Sequence, residues 1–147
     1  MFERLCSAIV ATVLVACGAS SKPAPAPPDN RSLFERLGGQ PAINAVVHEF
    51  VVTTKADPRI SQFFLNTDPV KLEQSMDDHV CSITGGGCAY RGKSMRDAHT
   101  TMKINDADFA AFMDDLRQVL VKLEVPEREG REVLTAFDGM KGDVVGH

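Results

Sequence analysis

Met95, His99 and Met102 follow one another at spacings of four and three, which on a helix puts all three on one face. The histidine then points inward. An inward imidazole is either a satisfied core side chain or a nitrogen ligand for a metal, and spacing alone does not choose between them. His79 has a different setting: it follows Asp77 and Asp78 and lies on or beside the apolar stripe through Leu72, Met76, Val80 and Ile83. Cys81 and Cys88 flank Gly85-Gly86-Gly87 and suit either a disulfide or two partly buried thiols, since a structural zinc site would need a second ligand pair. A Cys-x-x-Cys-His run is absent, as are a phosphate-cradling glycine loop, a nucleophile elbow and His-x-x-x-His spacing. His48 and His147 are expected to be exposed, and Asp77-Asp78 and Asp114-Asp115 to be solvated helix faces.

Helices must position these groups. Apolar residues keep a helical period through Ile43, Val46, Val47, Phe50 and Val51, then Leu72, Met76, Val80 and Ile83, then Phe109, Phe112, Met113, Leu116 and Leu120. A further helix is expected from Val125-Pro126 through Phe137, ended by Gly139 and Gly142. Pro41, Pro58, Pro69 and Pro126 all suit first-turn positions, with Asp57 and Asp68 as capping candidates for two of them. No period-two run competes, so the fold class is all-α with five or six helices.

The 147 residues are 44% hydrophobic and 24% charged, with 8 Pro and no Trp, a composition that fits one folded domain. A net charge of −4 provides no basic field for phosphates, so nucleic acid is not expected as a partner. Residues 5–16 form a charge-free, mostly apolar run that suits a secretory leader. Leu14-Val15-Ala16-Cys17-Gly18 resembles the lipobox of bacterial lipoproteins, which implies cleavage before Cys17 and a lipid thioether on it. Several acyl chains would hold a soluble domain on a membrane, and Gly18 suits outer-membrane sorting in a cell that has one. Residues 17–32, with Pro23, Pro25, Pro27 and Pro28, read as an extended tether. The domain is then 33–147, exported and lipid-anchored, facing the periplasm or the cell surface.

One ordered series in that domain carries more information than its periodicity. Leu33-Phe34-Glu35-Arg36-Leu37-Gly38-Gly39, Asp57-Pro58-Arg59-Ile60-Ser61-Gln62-Phe63-Phe64, Gly85-Gly86, Tyr90-Arg91-Gly92-Lys93-Ser94-Met95-Arg96-Asp97-Ala98-His99 and Ile104-Asn105-Asp106-Ala107-Asp108-Phe109 resemble a group 1 truncated haemoglobin. The resemblance implies a 2-on-2 sandwich of two helix pairs around a non-covalent haem b. It makes His99 the proximal iron ligand, leaving the opposite axial position open to O2, NO or CO. Phe64 matches the aromatic that packs on the haem face. Tyr90 matches an aromatic just before the proximal helix, near a haem edge or in a solvent-facing turn. Met95, Leu72 and Met76, with Phe63, Val80 and Ile104, are candidates for the apolar wall.

The chain also departs from that pattern. Many relatives place a tyrosine and a glutamine over the bound gas as hydrogen-bond donors; the matching positions here are Val51 and Met76, and the other familiar distal position is Leu72. None of these can donate. His79 is the nearest substitute, as a distal donor, as a sixth iron ligand or as an ordinary surface histidine. After His99, Thr100 and Lys103 replace residues that are commonly glycine. The expected function is reversible gas binding by a membrane-tethered haem protein. The alternatives are an NO dioxygenase or peroxidase-like enzyme with an external reductant, a six-coordinate electron-transfer protein, or a helical lipoprotein without cofactor.

Overall fold

A computed structural model describes residues 29–147. The leader, Cys17 and most of the tether lie outside the described residues. Among the described residues there are helices and no strands: α1 (Leu33–Leu37), α2 (Gln40–Ala56), a 3₁₀ turn (Ser61–Phe64), α3 (Pro69–Ile83), α4 (Met95–His99), α5 (Asp106–Lys122), α6 (Glu127–Asp138) and α7 (Lys141–Val144). None of them is long and apolar enough to cross a membrane.

Local chemistry accounts for most of the boundaries. Ser32 and Glu35 close a capping box at the start of α1, and Asn105 with Asp108 closes another at α5. Asp68 caps α3 by accepting from the N–H groups of Val70 and Lys71, with Pro69 at the first helical position. Gly38 ends α1 at φ 108°, a left-handed conformation that costs glycine nothing. Two of the four prolines depart from expectation. Pro58 starts no helix: Asp57 ends α2, and its carboxylate accepts from the Arg59 N–H at 2.8 Å, closing a turn. Pro126 stands just outside α6 as its N-cap.

The helices form two pairs, α2 with α3 and α5 with α6, and α2 also packs across α5. Their shared core holds Ile43, Val47, Phe50, Val51, Val80, Leu116, Val119, Leu120, Val133 and Phe137. Phe112 joins the pairs, meeting Phe50 edge-on at 4.8 Å and Phe137 at 5.9 Å. A second, smaller cluster of Ile104, Phe109 and Val144 gathers Phe63, Met95 and Met102 around it. Ile83, expected to face inward, is 37% exposed, because α3 stops there and the glycine turn carries the chain away.

Asp115 corrects the expectation of a solvated acidic face. It is 2% exposed, its Oδ1 lies 3.4 Å from Arg59 Nη2 and its Oδ2 has no partner. Burial, reinforced by the nearby Asp57 carboxylate, pushes its pKa up to about 6. Asp77 is also half-buried, and burial raises its pKa, with Glu73 and Asp78 adding to the effect. His48 is exposed beside Glu73, whereas His147 is half-buried and its Nε2 meets the Gly142 carbonyl at 3.2 Å.

Candidate functional site

Between the two clusters lies a predominantly apolar cavity of about 320 Å³, within the range of small-molecule and cofactor pockets. Phe64, Leu72, Met76, His79, Tyr90, Met95 and His99 all line it, as do Phe63 and Ile104. Val80 and Val51 instead pack in the helical core. Phe50, Ile60, Phe112, Phe137, Met140 and Val144 complete the aromatic and apolar lining. Most of these come from α2, the turn before the 3₁₀ segment and the last two helices, elements in which no local motif marks a pocket.

The geometry of His99 decides what this cavity can hold. Its Nδ1 lies 2.6 Å from the carbonyl oxygen of Met95, one turn back on α4. That carbonyl can only accept, so Nδ1 carries the proton and donates it, leaving Nε2 with a free lone pair for a metal. Among the described residues no cluster of three His, Cys, Asp or Glu side chains could hold a bare ion. An imidazole with a free Nε2 in the wall of an apolar cavity, with no cluster of further ligands beside it, fits a metal whose other ligands come with it, in a macrocycle.

The model of the bacterial-like globin family matches residues 32–145. Among curated relatives, the group 1 truncated haemoglobin of Tetrahymena thermophila is 30% identical over 115 residues, 78% of this chain and 95% of the relative. The chain belongs to the group 1 truncated haemoglobin family. A second member, from Chlamydomonas moewusii, is 32% identical over 134 residues, 89% of this chain and 78% of the relative. Among solved structures, the Fe(III) truncated haemoglobin of Tetrahymena pyriformis superposes with a TM-score of 0.76 at 30% identity, covering 80% of this chain and all of that one. The 2/2 haemoglobin of Synechococcus sp. PCC 7002, in the cyanomet state with covalently attached haem, superposes at 0.75 with 32% identity and the same coverage. The all-α 2-on-2 architecture, haem and diatomic gas binding follow from this membership.

In this globin the cavity's polar groups are few. His79 is half-buried, with its Nε2 3.3 Å from the Met140 sulfur, its ring edge-on to Tyr90 at 4.8 Å and its Nδ1 without a partner. Burial lowers its pKa below the ordinary histidine value, which favours the neutral ring. Tyr90 donates to the Lys93 carbonyl at 2.8 Å, and a Cβ at Gly92 would collide with its ring. Tyr90 is thus half-buried in the cavity wall rather than solvent-facing.

Cys81 and Cys88 are joined as a disulfide, their Cα atoms 5.7 Å apart. The bond ties the end of α3 to the segment leading into Tyr90, and so holds together the two stretches of chain that carry the His79–Tyr90 contact. Gly86 sits against the Cys81 sulfur and the Phe34 ring, leaving no room for a side chain. On the far side of His99, Thr101 and Lys103 adopt φ 76° and 56°. Left-handed backbone at non-glycine residues costs about 1–3 kcal/mol each and persists only where surrounding contacts impose it.

Proposed function

We propose that this globin is an exported, lipid-anchored haemoglobin that reversibly binds O2, NO or CO at a haem b iron held by His99. The hydrogen bond from His99 Nδ1 to the Met95 carbonyl carries the reading, since it fixes the tautomer and orientation that ligation needs. Phe64, Leu72 and Met76 supply apolar surface, Met95 flanks the ligating ring, and Tyr90 closes one edge. Haem held there by His99 would supply an iron able to bind a small gas reversibly. Among the described residues the two cysteines are bonded to each other and have no thiol to offer haem for a thioether, which supports non-covalent binding.

Leu72 and Met76 cannot donate a hydrogen bond, so a gas bound beside them depends for one on the few polar groups nearby, Thr67, Ser75 and His79. His79 is the one imidazole there, and its unpartnered Nδ1 supports a role toward a bound gas. His79→Ala is expected to speed O2 dissociation at least tenfold while leaving CO nearly unchanged.

The central test is an absorption spectrum of the reduced protein with and without CO. Wild type should show a Soret band that shifts with CO, and His99→Ala should lose it. A colourless protein that refuses added haemin would sink the reading. Repeated NO consumption with a reductant, in place of one stoichiometric turnover, would replace carriage with catalysis.

Export rests on the residue 5–16 leader, the Leu14–Cys17 lipobox and a disulfide of the kind that persists in oxidising compartments. Cys17→Ser should move the protein from the membrane fraction to the soluble one.

A further inference from the structure

The segment carrying His99 is gripped from outside by the last five residues of the sequence. α4 is five residues long and ends at His99. The corner after it has a β-branched and a long side chain at positive φ, Thr101 and Lys103, on either side of Met102, which lines the cavity. Two reciprocal backbone bonds close this corner. Lys103 N–H donates to the His147 carbonyl at 3.1 Å, and Gly146 N–H donates to the Ile104 carbonyl at 2.9 Å. Val144 is buried with Ile104 and Phe109, in the cluster against which Met95 and Met102 pack. Arg96, on α4 itself, donates to Asp143 at 2.9 Å. These contacts fall on the start and the end of the His99 segment, and none involves the imidazole.

We propose that residues 143–147 form a clasp that positions His99, holding a strained corner closed and so setting where Nε2 is presented to the iron. This rests on the reading of His99 as the iron ligand. Without the clasp, Thr101 and Lys103 relax toward ordinary backbone angles and the end of α4 moves with them. Residues that orient a metal-bound histidine typically change metal affinity by about 10–100-fold when removed. The residues of the clasp are therefore positioning residues, and the iron–histidine bond is where their loss registers.

The test compares haem-loaded full-length protein with a form lacking Gly146 and His147, and with Gly146→Pro, which removes the donor and cannot adopt φ +81°. Both variants should shift the iron–histidine stretching frequency of the ferrous, gas-free protein and speed haem loss by roughly 10–100-fold. Helical content should not change, because the four main helices share a separate core. Adding Thr101→Gly and Lys103→Gly to the shortened form should restore part of the frequency, since glycine relieves the strain that opens the corner.

A coloured wild type whose frequency is unmoved by either variant overturns the clasp and leaves the ligand assignment standing. A wild type that takes up no haem overturns both. Hydrogen exchange on the unmodified protein tests the clasp without any substitution: the amides of Lys103 and Gly146 should be protected, and exchange at the solvent-exposed rate overturns it.

Discussion

The two walls of the cavity are built by different means. α2 and α3 run for 17 and 15 residues, and each carries its own apolar stripe and a place in the main core. The opposite wall, residues 84–105, has one five-residue helix and mostly exposed side chains. So short a helix cannot be stable by itself. It is stapled by the Cys81–Cys88 bond on one side and by the tail on the other. The long helices hold their positions through burial, whereas the segment presenting His99 is held by a few discrete connections that can be removed singly. Changes in the first wall should therefore appear as global stability, and changes in the second as altered ligand geometry.

The largest expected effect breaks the first wall. Phe50 is 2% exposed and packs edge-on against Phe112, so Phe50→Ala should cost about 3–5 kcal/mol in denaturant unfolding. If the protein loses haem affinity without that loss of stability, the distinction between the walls fails. Replacing both Cys81 and Cys88 by serine should cost about 2–3 kcal/mol, from the freed chain entropy of a short loop. Its signature is graded: hydrogen exchange speeds most between residues 86 and 99, and in α2 only as far as the loss of global stability requires.

A smaller effect probes a buried charge beside the main core. Asp115 has a folded pKa raised to about 6 against an ordinary 3.8, so the folded state binds the extra proton. Its stabilising contribution is fully present below pH 3.8 and is lost as pH rises through 6. Asp115→Asn should remove that slope, about 2 kcal/mol, when melting is compared with wild type across pH 4–6. Identical pH profiles would mean that the carboxylate is solvated after all. The smallest effect is at the exposed Arg117–Asp114 pair, where Arg117→Ala should cost at most about 0.5 kcal/mol.

The sequence disclosed these regions unequally, for physical reasons. The periods through Ile43–Val51 and Phe109–Leu120 are local signals with a local cause, and α2 and α5 appear where those periods lie. Asp68-Pro69 and Asp57-Pro58 look alike in sequence, yet the first caps a helix and the second closes a turn on Arg59. The residues downstream of each pair decide between helix and turn, and they lie outside the motif. Asp114 and Asp115 are adjacent and identical; only the rotation of α5 against Arg59 buries one of them.

At the site, the aligned motif singled out His99, Phe64 and Met76, whereas Met140 and Val144 line the cavity from a part of the chain distant in sequence. The bond between Lys103 and His147 has no local trace. A gap of that length leaves no periodicity to read.

Arg36 has one more consequence. From α1 it reaches Glu129 at 2.6 Å and also Glu132, both on α6, with only 7% of its side chain exposed, while the Phe34 N–H donates to the Thr84 carbonyl at 2.9 Å. Any mechanical pull on the chain upstream of Asp29 therefore reaches the end of α3 and the side of α6 together. The first turn of the described chain is thus braced against both helix pairs, on α3 through Thr84 and on α6 through two glutamates, before the chain has made its first long helix.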